Sequence, residues 1–239
     1  PRLRRETKSL LFDRTSVSWK KVRDAFSGFD ENLLVTSVSP WLMNRAKQSP
    51  ILADKKHRIV LNGIDTDNVF HITNNSLRKQ LGCEGKKVIL HVTASFSRPI
   101  KGGKYVIELA KRMPEYFIVL VGNKERNLDL PANIIDVGYT ENQRELAAYY
   151  TMADILLLTS EKETFCMPVA ESLCCGTAVV GFRAGAPEQI ALPAYSEFVE
   201  HGDINALETA VRTWIETSIN KKALADIAKQ VYSKEKMVN

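Results

Sequence analysis

Short runs of aliphatic and β-branched residues alternate along the chain with longer stretches in which apolar residues recur every three or four positions. A short apolar run is typical of a buried strand, and the longer pattern is typical of an amphipathic helix. The predicted strands are residues 33–36, 58–61, 88–92, 117–121, 134–137, 155–158 and 178–181. The predicted helices are residues 40–47, 76–81, 103–113, 142–152, 168–175, 204–218 and 222–232, and the last two follow the last predicted strand.

This alternation predicts an α/β fold, with a doubly wound, Rossmann-like parallel sheet that carries helices on both faces. In such sheets, ligands bind beyond the carboxyl ends of the strands, at the point where the strand order reverses. The loops that follow the predicted strands are therefore the first places to look for chemistry.

The alternation breaks at residues 62–75. Asn62-Gly63 is a turn signal, and the polar run after it precedes a new α/β series that begins at Val88. The two strands predicted before the break are too few for an independent core. We therefore interpret residues 1–62 as the end of an N-terminal domain with its connection, and residues 63–239 as a separate domain. Because the chain opens on Pro1 rather than Met, we interpret it as a fragment of a longer protein.

The net charge of +5 is concentrated at the front of the chain. Residues 1–25 hold eight Lys and Arg against three acidic residues, so the rest of the chain is balanced. This balance argues against a nucleic-acid groove along the fold. The basic segment suits an anionic membrane surface, with apolar anchors at Leu10, Leu11, Phe12 and Trp19. The favoured alternative is an exposed connecting segment, because a charge run alone is weak evidence of binding.

The composition bounds the class of protein. Hydrophobic residues make up 44% of the 239 residues and charged residues 26%, which is typical of a globular protein and excludes a disordered one. No apolar window approaches the roughly 18 residues of a membrane span. The four cysteines form no CxxC pair and no zinc spacing, which indicates reduced thiols in a cytoplasmic protein.

The loop after residues 155–158 leads into a helix that opens near Pro168, a residue suited to a first helical turn. We predict that free backbone amides there, together with the helix dipole, point at an anion. The amides in question belong to Cys166, Met167 and Val169.

Two carboxylates flank this predicted anion site, Glu163 in the loop and Glu171 in the first helical turn. Since carboxylates repel an anion, they suit the hydroxyl groups of a sugar and a ribose. The alternative is that Glu171 is a favourable first-turn acid and Glu163 a solvated loop charge.

The loop after residues 88–92 carries two cations. Arg98 and Lys101 stand where a diphosphate could be gripped, just before Gly102-Gly103 leads into a helix. The loop is neither GxGxxG nor a P-loop, so the usual NAD and ATP motifs are absent. Taken alone, a basic loop of this kind is more often merely solvated.

Several motifs occur together in a fixed order along the chain. They are Asn62-Gly63-Ile64-Asp65, the Lys101-Gly102 loop, Ala153-Asp154, the pair Glu163 and Glu171 with seven residues between, and Pro187-Glu188 after the glycines 181 and 185. Together they resemble the retaining GT-B glycosyltransferases of the family-four (group 1) type, most closely the bacterial capsule and exopolysaccharide transferases. The resemblance covers nearly the whole chain and implies that residues 63–239 are the C-terminal, donor-binding domain of a two-domain GT-B fold.

The resemblance implies a role for each matching residue. Glu163 would contact the hydroxyls of the transferred sugar, Glu171 the ribose and Lys101 the diphosphate. The arginine that usually precedes this lysine by five positions is here Phe96, and Arg98 is the candidate to replace it. The catalytic residues implied are thus Glu163, Lys101 and Arg98. The other implied donor contacts are Thr164, Phe165, Cys166, Met167, Pro168 and Val169, with Gly138 and Tyr139 at the base.

The function implied is transfer of a sugar, with retention, from a nucleotide-diphosphate sugar to a hydroxyl of a saccharide or lipid-linked acceptor. UDP is the default nucleotide of the family, and neither a metal nor a cofactor is implied. The expected location is the cytoplasm, at the inner face of the membrane if the basic segment binds there. Because the family's catalytic histidine lies in the N-terminal domain, the fragment is expected to bind donor without turnover.

Two alternatives remain at this point, and a third is discounted. A sugar-nucleotide epimerase or a phosphorylase uses a similar two-domain architecture. A non-catalytic scaffold would agree with Phe96 at the arginine position. A metal site on Asp65-Thr66-Asp67 is discounted, because these residues follow the Asn62-Gly63 turn rather than a nucleotide-binding strand.

Overall fold

The computed structural model describes residues 14–29, 32–74 and 76–238. Its strands are β1 (Leu34–Ser37), β2 (Lys56–Ile59), β3 (Val88–Val92), β4 (Phe117–Val121), β5 (Ile134–Asp136), β6 (Ile155–Leu158), β7 (Ala178–Phe182) and β8 (Ser196–Val199). Its α-helices are α1 (Thr15–Phe26), α2 (Pro40–Lys47), α3 (Leu77–Gln80), α4 (Gly103–Arg112), α5 (Gln143–Met152), α6 (Met167–Cys174), α7 (Pro187–Ile190), α8 (Ile204–Glu216), α9 (Lys221–Tyr232) and α10 (Lys234–Val238).

Six strands form one parallel sheet in the order β5-β4-β3-β6-β7-β8. The chain builds outward from β3 to β5 on one side, returns to the middle, and builds outward from β6 to β8 on the other. The strand order therefore reverses between β3 and β6. This is the position at which a doubly wound sheet binds its ligands.

Apolar side chains cover both faces of this sheet. In β3, Val88 and Leu90 join one buried cluster and Ile89 joins the other. The first cluster takes its helical residues from α5, α6, α7 and α9, and the second from α4 and α8. Because both faces are buried, the inner strands are continuous apolar runs, which is why the sequence pattern identified them. The predicted fold class is confirmed.

Each of the seven predicted strands is present, most within one or two residues of the predicted limits. One expectation was wrong, because β8 follows β7 where only helices were predicted. Residues 196–199 read Ser-Glu-Phe-Val, and β8 lies at the edge of the sheet with none of its residues fully buried. An edge strand of this kind lacks the apolar run of a buried strand. Helices α1, α7 and α10 were also not predicted.

The chain before residue 62 forms a smaller parallel pair, β1 with β2, connected through α2. The other end of the chain returns to the junction, where Ile64 donates its N–H to the carbonyl of Tyr232 and accepts from the N–H of Lys234. Division of the chain into domains at residue 62 stays a prediction.

The basic front segment is described only from residue 14, so Leu10, Leu11 and Phe12 lie outside the described residues. Its described part is α1, which buries none of its residues. Across the described ranges, every helix is too short or too polar to cross a membrane.

Candidate functional site

Two loops meet where the strand order reverses, one after β3 and one after β6. The N–H of Glu161 donates to the carbonyl of Ile100 at 2.8 Å, and the hydroxyl of Thr159 donates to the carbonyl of Lys101 at 2.9 Å. The basic loop after β3 and the acidic loop after β6, both predicted to carry chemistry, are therefore hydrogen-bonded to each other.

Gly102 makes this approach feasible. Its φ is +71°, a left-handed conformation that favours glycine. A Cβ at this position would lie 2.8 Å from the carbonyl carbon of Thr159 and still closer to its oxygen. Glycine thus allows the 3-10 helix Pro99–Lys101 to pass directly over the end of β6 before α4 begins.

This approach brings Lys101 to Glu163. The Nζ of Lys101 lies 2.7 Å from Oε1 of Glu163, and the two side chains are 34% and 18% exposed. Glu163 is therefore not a solvated loop charge. Arg98 is exposed, and within the described ranges its side chain forms no ion pair.

The backbone of Glu163 is held by the glycine-containing loop after β7. Its N–H donates to the carbonyl of Ala184 at 2.8 Å, and its carbonyl accepts from the N–H of Ala186 at 3.3 Å. The carboxylate of Glu188 accepts from the N–H groups of Ala184 at 3.0 Å and Gly185 at 3.1 Å. The Pro187-Glu188 motif therefore fixes the loop that in turn fixes Glu163.

Helix α6 begins at Met167, directly after Cys166 in a left-handed conformation with φ +74°. Pro168 lies in the first turn, as predicted. Among the described residues, the N–H groups of Phe165, Cys166 and Met167 find no acceptor, so they can serve an anion. The N–H of Val169 does not join them, because it donates to the carbonyl of Cys166 at 3.0 Å. The prediction of a free Val169 amide was wrong.

Glu171 lies in the second turn of α6 and not in the first, since the helix opens at Met167. Its side chain is nearly buried, so it is not a favourable surface acid at a helix start. The hydroxyl of Tyr150 donates to Oε2 of Glu171 at 2.8 Å. Burial raises the pKa of Glu171 to about 7, and the Tyr150 hydrogen bond partly opposes this shift.

Tyr150 was not singled out in the sequence, although a signal was available. It lies in the apolar pattern of α5 and is completely buried. A buried tyrosine hydroxyl requires a partner, so its presence in a core pattern indicates a polar group nearby. Burial also raises the pKa of Tyr150 well above its usual value, which keeps it a hydrogen-bond donor at neutral pH.

Gly138 and Tyr139 lie beyond the carboxyl end of β5. Gly138 has φ +76°, and its carbonyl accepts from the N–H of Gly122 at 2.8 Å. The ring of Tyr139 is half exposed, with the ammonium of Lys124 3.8 Å from its centroid. They lie at the carboxyl-end edge of the sheet, as Lys101 does, but they follow β5, the strand at the margin of the sheet.

Phe96 is buried among the core residues of α4 and β3, where its ring packs edge-on against His91 at 6.0 Å. The position of the expected arginine is therefore part of the core. His91 is also buried, its Nδ1–H donates to the carbonyl of Leu157 at 3.0 Å, and burial lowers its pKa to about 4. It is neutral at physiological pH.

The carboxylates of the Asp65-Thr66-Asp67 segment are paired with lysines of the last two helices. Asp65 lies 3.1 Å from Lys234, and Asp67 pairs with Lys229. These lysines connect the junction at residues 63–67 to the end of the chain.

The chain matches the family model described as "Glycosyl transferases group 1" over residues 73–231. Among curated proteins, it is similar to N-acetyl-alpha-D-glucosaminyl L-malate synthase of Bacillus anthracis, with 30% identity over 193 residues that cover 75% of this chain and 47% of the relative. The chain thus spans about half the length of that relative.

Solved structures share the fold at lower identity. Sucrose-phosphate synthase from Thermosynechococcus elongatus aligns with a TM-score of 0.75 at 17% identity, over 95% of this chain and 61% of that chain. Anabaena HepE, in complex with UDP and glucose, aligns with a TM-score of 0.75 at 21% identity, over 91% of this chain and 64% of that chain. Because the family model covers well over half of its residues, this chain belongs to the group 1 glycosyltransferases.

Proposed function

We propose that this chain is the donor-binding part of a retaining glycosyltransferase that moves a sugar from a UDP-sugar to an acceptor hydroxyl in polysaccharide or glycolipid biosynthesis. Residues 63–239 would form the donor-binding domain, and residues 1–62 the end of the acceptor domain. One observation carries the proposal: Lys101 and Glu163 meet at 2.7 Å where the strand order reverses, next to the free amides that open α6.

The diphosphate would occupy the space at Lys101 and the start of α6. Lys101 and Arg98 supply positive charge, and the N–H groups of Phe165, Cys166 and Met167 supply donors at the positive end of the helix dipole. When the glycosidic bond breaks, negative charge develops on the leaving diphosphate. Donors that are already in position stabilise that charge in the transition state.

The two carboxylates would bind hydroxyl groups on either side of the diphosphate. Glu163, next to Lys101, would accept hydrogen bonds from the transferred sugar, with exposed Thr164 beside it. Glu171, oriented by Tyr150, would accept from the ribose. Gly138 and Tyr139 would contact the base. Pro168 and Val169 contribute by building the first turn of α6.

The relatives support a UDP-sugar donor. The HepE structures contain UDP and glucose or UDP-glucose, and the name of the curated relative describes an N-acetylglucosaminyl product. The acceptor would be a saccharide or a lipid-linked saccharide. Helix α1, exposed and carrying Lys20, Lys21 and Arg23, supports a peripheral contact with an anionic membrane on the cytoplasmic side. Acting alone, the chain would bind donor without transferring sugar.

Calorimetric titration of the chain with UDP, GDP and ADP tests the proposal. We expect UDP to bind, and Glu171→Gln to lower its affinity by about 10- to 100-fold, because hydrogen bonds to a charged acceptor contribute about 1.5–3 kcal/mol each. Glutamine keeps the shape of the buried side chain. Glu216→Gln, on the exposed end of α8, is the control and should leave affinity unchanged. An unchanged affinity in Glu171→Gln would remove this residue from the site.

Failure of all three nucleotides to bind would favour the second candidate function, a non-catalytic scaffold. The burial of Phe96 at the expected arginine position is the observation that favours it, since one cation of the diphosphate site is missing there.

We also expect the affinity for UDP-glucose to rise as the pH increases through about 7, because Glu171 must be ionised to accept two hydroxyl hydrogen bonds. UDP-glucose is the appropriate probe, since both of its phosphates are esterified, whereas a terminal phosphate itself titrates near pH 6. Tyr150→Phe removes a hydrogen bond that favours the carboxylate. The midpoint of the pH dependence should therefore move upward in this variant.

Tyr149→Phe is a matched control, because the adjacent Tyr149 interacts with Glu145 and not with Glu171. The nearby thiols of Cys166, Cys174 and Cys175 stay uncharged in this range, because burial raises their pKa. A midpoint shared by the wild type and Tyr150→Phe would contradict the assignment.

A further inference from the structure

Ser39 connects the chain before residue 62 to the proposed sugar end of the donor site. Its side chain is completely buried. The hydroxyl donates to the carbonyl of Thr164 at 2.7 Å and accepts from the N–H of Leu42 at 3.2 Å. The second bond caps α2. The first has no role in α2, because Thr164 lies 125 residues further along the chain.

Trp41, two residues after Ser39, contacts the loop after β7, which holds the backbone of Glu163. Gly185 has φ +102°, and a Cβ built there would lie 2.6 Å from Cε2 and 2.7 Å from Nε1 of the Trp41 indole. The indole therefore lies directly against the backbone of Gly185. The guanidinium of Arg45 lies 5.0 Å from the centroid of the Trp41 ring, which supports the orientation of the indole.

These two contacts fall on the two backbone segments that hold Glu163. Thr164 is the next residue in the chain, and Gly185 lies between the two residues that hydrogen-bond to the backbone of Glu163. Glu163 and Gly185 themselves form a parallel β-bridge. The backbone of Glu163 is therefore held on one side by the loop after β7, against which the Trp41 indole packs. On the other side, the Ser39 hydroxyl holds the next residue, Thr164.

We propose that Ser39 and Trp41 are positioning residues for Glu163, which fix the sugar end of the donor site from the segment before residue 62. This inference rests on the proposed function. It differs from a purely structural role in one respect: the contribution of the sugar to donor affinity should depend on Ser39 and Trp41, whereas the contribution of the nucleotide should not. The base and ribose contacts proposed at Tyr139 and Glu171 lie in the loop after β5 and in α6, whereas Ser39 and Trp41 contact Thr164 and Gly185. Of the proposed diphosphate donors, the N–H of Phe165 shares a peptide unit with the Thr164 carbonyl, but Lys101 and the amides of Cys166 and Met167 do not, so UDP affinity should change little.

Titration of the chain with UDP and with three UDP-sugars (UDP-glucose, UDP-galactose and UDP-N-acetylglucosamine) tests this difference. For the UDP-sugar that the wild type binds most tightly, the ratio of its affinity to that of UDP measures the sugar contribution. We expect Ser39→Ala and Trp41→Ala to lower this ratio by about three- to tenfold, with UDP affinity within twofold of the wild type. Glu163→Gln should lower the ratio as well. Ser39→Thr keeps the hydroxyl, so its ratio should stay near the wild-type value.

Asn220→Ala provides the matched control. Asn220 caps α9 by accepting from the N–H of Ala223, and its side chain makes no contact with the donor loops among the described residues. This variant loses a helix cap as Ser39→Ala does, so it should lower thermal stability without changing the ratio.

The outcomes separate the two proposals. A wild-type chain that binds no nucleotide overturns the proposed function and this inference with it. A wild type that binds UDP but gains nothing from any of the three sugars overturns the role of Glu163 and this inference, and leaves the nucleotide site standing. A ratio that falls in Glu163→Gln but not in Ser39→Ala and Trp41→Ala overturns this inference alone. An equal loss of UDP and UDP-sugar affinity in Ser39→Ala also overturns it, because that is the effect of general destabilisation.

Discussion

Under the proposed function, replacement of Lys101 by methionine is expected to slow glycosyl transfer by about 30- to 1,000-fold in an enzyme that joins this chain to an acceptor domain. One preorganised donor aimed at developing charge contributes about 2–4 kcal/mol to a barrier, and each 1.36 kcal/mol is about a tenfold change in rate. Lys101 is half-buried beside Glu163, so water replaces it poorly. Methionine keeps the length of the apolar stem and removes the ammonium group, with its charge and its N–H donors. The measurement is UDP release from the preferred donor at saturating acceptor.

Lys104→Met is the matched control for this prediction. Lys104 is three residues further along, exposed in the first turn of α4, and its ammonium lies over the ring of Tyr105 rather than beside a carboxylate. Its replacement by methionine changes the net charge of the chain by the same amount as Lys101→Met. A Lys101→Met enzyme that retains a rate within threefold of the wild type would show that the leaving diphosphate is stabilised elsewhere.

Gly102→Ala is expected to destabilise the chain by about 3 kcal/mol or more, because two costs add. The left-handed conformation alone costs an alanine about 1–2 kcal/mol. In addition, the new Cβ would collide with the carbonyl of Thr159, which is backbone at the end of β6 and cannot rotate away. The 3-10 helix at Pro99–Lys101 must then separate from β6. Urea denaturation measures the change in the free energy of unfolding.

Gly82→Ala separates these two costs. Gly82 has nearly the same backbone conformation, with φ +67°, but a Cβ there would meet nothing within 4 Å. It should therefore show the conformational cost of about 1–2 kcal/mol alone. Equal destabilisation of the two variants would mean that the close approach of the two loops does not exist in solution.

The inner strands could be predicted from the sequence because burial on both faces leaves a readable pattern. Strands such as Phe117–Val121 and Ile155–Leu158 have no polar position along their length. The edge strand β8 lacks this pattern, since a polar Ser and Glu alternate with Phe and Val. The convergence of two loops followed from topology alone, once the strands were known.

The contacts within the site could not be predicted in the same way. Tyr150 and Glu171 lie on different helices, and Ser39 and Thr164 are 125 residues apart. Local patterns contain no information on which side chains of separate elements meet. The start of α6 also depended on a backbone detail, the left-handed conformation of Cys166. Because α6 begins at Met167, Glu171 lies in the second turn, and the N–H of Val169 donates to the carbonyl of Cys166.

The reversal of the sheet has a consequence for folding. Lys101 follows β3 and belongs to the half of the sheet that ends at β5, whereas Glu163 and α6 belong to the half that begins at β6. Neither half alone assembles the pocket. A ligand that binds both loops has no site in either half of the sheet alone. Its binding free energy therefore stabilises only the conformation in which the two halves are paired. A bound ligand would thus make the two halves of the sheet unfold as one cooperative unit, and partial unfolding of either half would release the ligand.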